Sequence, residues 1–153
     1  MIDAIRALGI VRILAAAWLA LAAAAAFAQA QPGPTHPAAE WQKIREVVIA
    51  QREALLAGDG ERAFAFATPA LRRQYGNAKA FMRMVDDGYR PLVEARYAEL
   101  LQGAIIEGST IQPLRLVMPD GAVRVALYEL ERQEDGSWRI AGCVIAPSTV
   151  RSA

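Results

Sequence analysis

At Tyr89-Arg90-Pro91 the chain changes texture, and no other feature of the sequence constrains the fold as tightly. Before that point, apolar residues recur at helical spacing in Ala-rich segments; after it, β-branched residues and turn dipeptides take over. In residues 40–57, Trp41, Ile44, Val48 and Leu55 share one stripe, and Gly58 supplies a stop. Gln51 stands on that stripe where the spacing expects an apolar residue, so its amide is predicted to face inward and be tied to neighbouring backbone. Residues 59–66 read as a short second helix. Thr68 as N-cap with Pro69 at the first helical position starts a third, which ends at Gly76. Asn77 then caps a fourth helix to about Asp87, with Phe81, Met84 and Val85 as its buried stripe and Gly88 as its stop.

The second half reads as strands: residues 95–101 as a strand or irregular edge, then 104–107, 111–118, 122–132 and 137–146. Turns are predicted at Gly108-Ser109, Pro119-Asp120-Gly121 and Glu134-Asp135-Gly136. Such short connections force neighbouring strands to run antiparallel. The expected fold class is therefore α+β, with N-terminal helices packed on a curved antiparallel meander. Strict alternation sets Val123, Val125 and Leu127 against Ala126, Tyr128 and Leu130, and sets Trp138, Ile140 and Val144 against Ala141, Cys143 and Ile145. Both faces of the sheet thus look apolar. One should meet the helices; the other needs a cover, for which a second copy forming a homodimer, the N-terminal leader and a curled helix are the candidates.

The N-terminus carries the layout of a secretory signal peptide. Arg6 and Arg12 precede an uncharged Ala- and Leu-rich run over residues 13–27, and Ala28-Gln29-Ala30 offers small residues for cleavage after Ala30 or, alternatively, after Ala28. The run is shorter than the ~20 apolar residues of a membrane span. The expected organisation is a signal peptide over 1–30, a flexible leader over 31–39, one α+β domain over 40–148 and a tail over 149–153. The mature product is expected to be periplasmic or secreted, with no membrane attachment after cleavage. The single cysteine, Cys143, lies too late for lipidation and has no partner for an internal disulfide, so the core must hold the domain. Between Gly142 and Val144 it reads as a buried small hydrophobe.

Losing Arg6, Arg12 and Asp3 from 17 basic and 16 acidic side chains leaves equal numbers of each. A formally neutral domain argues against nucleic acid and anionic membrane surfaces as partners. The one histidine, His36, falls in the leader, which removes a histidine dyad or multi-histidine metal site, and no DxDxDG spacing, P-loop, dinucleotide fingerprint or GxSxG elbow occurs. No metal, no cofactor and no catalytic residue is expected.

From residue 44 to 145 the runs VIAQREAL, GDGERAFAFATP, YGNAKAFMRMVDDGY and LYELERQEDGSWRIAGCVI resemble a family of exported bacterial proteins catalogued only as a domain of unknown function. The order of elements is similar to the wider nuclear-transport-factor-2-like (cystatin-like) superfamily. That resemblance implies helices leaning on a curved sheet with a conical cavity between them. Isomerases and cyclases of that superfamily use an Asp or His base in the cavity, and a base on the inward face of a late strand is what proton abstraction beside a carbonyl would require. Here no Asp or His occurs over residues 122–137 except Asp135, in its turn.

The leading expectation is therefore a non-catalytic module that binds a small apolar ligand or a protein partner, with Trp41, Gln51, Tyr89, Tyr128 and Trp138 around the cavity. The alternative is an isomerase- or cyclase-like enzyme whose base is a cavity carboxylate on a helix or loop, with Asp59, Asp86 and Asp87 as candidates.

Overall fold

The computed structural model describes residues 35–147; the expected signal peptide, its cleavage site and the C-terminal tail lie outside them. Among the described residues five helices come first: α1 (Ala38–Leu56), α2 (Gly60–Ala65), α3 (Pro69–Tyr75), α4 (Ala78–Gly88) and α5 (Pro91–Glu94). Five strands follow: β1 (Tyr97–Leu100), β2 (Ala104–Ile106), β3 (Ser109–Val117), β4 (Val123–Arg132) and β5 (Trp138–Pro147). The fold is α+β with an all-antiparallel sheet in the order β1-β3-β4-β5, β2 also pairing with β3.

The polar residues that start the helices do so by accepting orphan backbone N–H groups. Asp59 accepts from Arg62 N, Thr68 from Leu71 N and Asn77 from Ala80 N, at 3.0, 3.2 and 2.9 Å. Each cap contributes about 1 kcal/mol. α1 buries Trp41, Ile44, Val48, Gln51 and Leu55 along one stripe and packs on β3 and β5. α5 was not expected from the sequence, because four residues are too few for a periodic pattern. Arg52 of α1 fixes it by donating to the carbonyls of Leu92 (3.0 Å) and Ala95 (3.1 Å), where a cation also suits the C-terminal end of the helix.

Three expectations change, two of them in the second half. The hairpin between β2 and β3 turns on Glu107-Gly108, one residue earlier than predicted. Both residues have positive φ (50° and 86°), the backbone that a two-residue hairpin needs to match strand twist. In β5, the register slips between Glu129 and Leu130, which pair with Gly142 and Ile140 and leave Ala141 as the extra residue of a bulge. The bulge breaks the alternation, so Trp138 and Ile140 join Cys143 and Ile145 on the helix-facing side while Val144 points outward, 63 % exposed. Finally, α1 begins at Ala38, within the expected leader, and His36 is docked against the domain.

The helix-facing side of the sheet supplies Leu114, Leu116, Ala126, Tyr128, Leu130, Trp138 and Ile140 to the core. The opposite side carries Pro113, Leu127 and Val144 in one cross-strand row, with Tyr97 and Ile106 also exposed. Among the described residues no helix is long and apolar enough to cross a membrane.

Candidate functional site

The five residues expected around a cavity fall into two groups at opposite ends of the buried stripe of α1. Gln51, Tyr89 and Tyr128 line one pocket of about 130 Å³ between the helices and the inner face of β4 and β5. Trp41 and Trp138 do not reach it.

The Trp end is tightly packed, although Trp138 also borders two open surface grooves. Trp41 and Trp138 each meet the His36 ring edge-on, at centroid distances of 5.2 and 5.0 Å. Every polar tip there has a partner: His36 Nε2 is 2.8 Å from Thr110 Oγ1, Trp41 Nε1 donates to Thr35 Oγ1 at 3.1 Å, and Trp138 Nε1 donates to Glu40 Oε2 at 2.9 Å. Hydrogen bonds from Lys43 and from Trp138 hold the Glu40 carboxyl below its ordinary range. The Trp41 ring also lies on Gly103, where any Cβ would collide with it. These two tryptophans act as packing groups that seat the start of α1.

The pocket end is built differently. Its walls are apolar: Leu55 of α1, Leu71 of α3, Phe81, Met84 and Val85 of α4, with Leu92 and Ile140. Among the described residues no charged side chain lines it. Tyr128 is fully buried, and no protein group bonds its hydroxyl. Burial, more than the neighbouring Cys143 thiol, pushes the Tyr128 phenol well above the ordinary tyrosine range, while Arg52 acts in the opposite sense. Burial also pushes the Cys143 thiol up to about 12 and raises Tyr89. The pocket is therefore neutral at physiological pH, with phenol and thiol protonated.

Of the remaining polar groups, the half-buried Tyr75 makes no side-chain hydrogen bond among the described residues, and the others are occupied. Tyr89 donates to the Cys143 carbonyl at 2.9 Å, and Gln51 Nε2 lies 3.4 Å from the Ala63 carbonyl, the backbone tie that its place on the stripe predicted. Gln112, opposite Tyr128 on β3, donates to the carbonyls of Leu101 and Pro113 at 2.7 and 3.0 Å. Sequence reasoning did not single out Gln112 or Cys143 as neighbours of Tyr128. The register joins Gln112, Tyr128 and Cys143 in one row, a relation that depends on the bulge at Ala141.

Asp59, Asp86 and Asp87, the carboxylates considered as general bases, are all exposed, and none lines the pocket. Asp59 spends an oxygen on the cap of α2. The isomerase-like alternative thus loses the base it was built on. Among the described residues no group of three His, Cys, Asp or Glu side chains could hold a metal ion.

Residues 37–153 match the family described as Domain of unknown function (DUF4864), a span that takes in every helix and strand of the described residues and every residue lining the pocket. The chain belongs to that family. His36 lies one position ahead of the matched span. No curated protein and no solved structure matches the chain.

Proposed function

We propose that this member of the domain-of-unknown-function family is an exported binding module whose pocket takes up a small, uncharged, largely apolar molecule. The observation that carries the reading is a partly enclosed apolar pocket with one fully buried hydroxyl, that of Tyr128, left without a protein partner. Buried polar groups are almost always paired, so a hydroxyl without a protein partner beside a pocket is satisfied by a water or by a bound molecule there. At about 130 Å³ the pocket is comparable to an apolar cavity of about 150 Å³ that admits benzene or xenon. Its neutral lining favours an uncharged guest, because an ion would be desolvated there without a counter-charge. Helices that close a pocket against one face of an antiparallel sheet support placing the fold with the nuclear-transport-factor-2-like superfamily. The signal-peptide layout of residues 1–30 supports export. A crystal of the purified protein pressurised with xenon tests the pocket: density is expected between α4 and the Tyr128–Cys143 row, and its absence there rejects the reading. N-terminal sequencing of protein from the extracytoplasmic fraction tests export; a first residue of Gln31 or Gln29 is expected.

The outer sheet face favours a second role, association with another copy of the chain. The row of Pro113, Leu127 and Val144 is apolar and partly open, and two of its acidic neighbours are already bonded within the face: Glu99 to Arg115 at 3.5 Å and Glu129 to Ser109 at 2.6 Å. A twofold axis through this face would set its apolar row against the same row of a second copy. Sedimentation should give a dimer that Leu127→Glu with Val144→Glu dissociates; a monomer at all concentrations rejects it.

A further inference from the structure

We infer that the pocket selects a neutral molecule bearing a carbonyl oxygen, with the Tyr128 hydroxyl as the donor that reads it; the inference rests on the pocket being a binding site. Five polar groups border the pocket: three of them are committed or weak, and a fourth, the Tyr75 hydroxyl, is on a half-buried residue that water can reach. The Tyr89 proton goes to the Cys143 carbonyl, the Gln51 amide is directed at the Ala63 carbonyl, and the Cys143 thiol is a weak donor held protonated by burial. Among these groups Tyr128 is the one fully buried strong donor without a protein partner. Gln112 across the strand does not take it, since no hydrogen bond joins the two side chains and the Gln112 amide protons go to Leu101 and Pro113.

The charge balance narrows the guest further. A carboxylate would need a cation, and none lines the walls; Arg52, whose charge is felt at Tyr128, has its guanidinium turned to the Leu92 and Ala95 carbonyls. An ammonium would find no carboxylate on the walls. A carbonyl satisfies the phenol proton without bringing a charge or a donor that must itself be paired, while the rest of the molecule meets Leu71, Phe81, Met84 and Ile140. The volume holds such a guest to about the size of a six-membered ring.

Two probes of nearly equal shape separate the claims: cyclohexanone, and methylenecyclohexane, in which a CH₂ replaces the oxygen. NMR titration of the intact exported protein should show cyclohexanone binding about tenfold more tightly. Tyr128→Phe should bring the two within about twofold by weakening only cyclohexanone. In the wild type, a ¹³Cζ label on Tyr128 should shift with cyclohexanone and hardly move with methylenecyclohexane, which reads the contact even if the variant does not fold. Equal affinity of the wild type for both probes overturns the carbonyl inference and leaves the pocket reading standing. Failure of both to bind overturns the pocket reading and the inference with it.

Discussion

Trp41 and Gln51 stand ten positions apart on one stripe of α1, about 15 Å along the helix, and the two ends they mark are opposites. At the Trp end, large aromatic rings pack on His36 and Gly103, and each N–H finds an oxygen. At the pocket end the walls stand apart, and the one fully buried hydroxyl has no protein partner. A buried aromatic with a polar tip fits either situation equally well. Satisfaction of the tip, which depends on distant chain segments, separates a packing residue from one that holds something in reserve.

The largest effect that tests this contrast belongs to the Trp end. Trp138→Ala removes the ring against which His36 packs and the donor to Glu40, and should cost about 3–5 kcal/mol in chemical denaturation. A cost under about 1 kcal/mol would mean that this end is not the clamp described.

The pocket end should instead show itself in alkali. The unfolded Cys143 thiol ionises near 9, whereas burial holds the folded one up to about 12. A raised folded value gives stability that is complete below 9 and is lost as pH rises from there towards 12. Between pH 9 and 10 the wild type should lose about 1 kcal/mol more than Cys143→Ala does, measured by denaturation midpoints. Equal slopes would place the thiol in solvent.

Smaller still is the effect of Tyr128→Phe, which deletes a hydroxyl that no protein group bonds. Stability should stay level or rise by up to about 1 kcal/mol, and a clear fall would reveal a partner within the fold.

The least effect is expected on the acid side. Glu40 is held below its ordinary value of 4.5 by Lys43 and Trp138, so its contribution is present above that value and disappears as pH falls through the lower folded one. Glu40→Gln should flatten the acid limb of the stability curve slightly, and an unchanged limb would show that the Trp138 bond is made without the charge.

The difference between the two ends was only half legible in the sequence. The stripe of α1, the caps at Asp59, Thr68 and Asn77 and the hairpins at Asp-Gly dipeptides were readable, because each depends on residues a few positions apart. Gln51 also fell where its spacing put it, buried and directed at backbone. What escaped depends on distant partners or on a single inserted residue. The bulge at Ala141 moves Trp138 and Ile140 to the inner face, and no local pattern announces it. The docking of His36 joins residues 74 positions apart, through Thr110. The contact of Gly103 with Trp41 has no sequence signature either, although a glycine between two short strands leaves room for a ring. Five aromatic and amide residues could therefore be named as candidates, but their division into Trp41 and Trp138 on one side and Gln51, Tyr89 and Tyr128 on the other required the tertiary contacts.

One spectrum places both ends in view. Titrating the protein with cyclohexanone while following the indole N–H signals of Trp41 and Trp138 together with the backbone amides of Tyr128 and Cys143 tests most directly whether the pocket end is the binding end. Saturable shifts confined to the amides, with both indole signals unmoved, are the predicted result. Shifts of the indole signals as large as those of the amides, or no saturable shift at all, would contradict it.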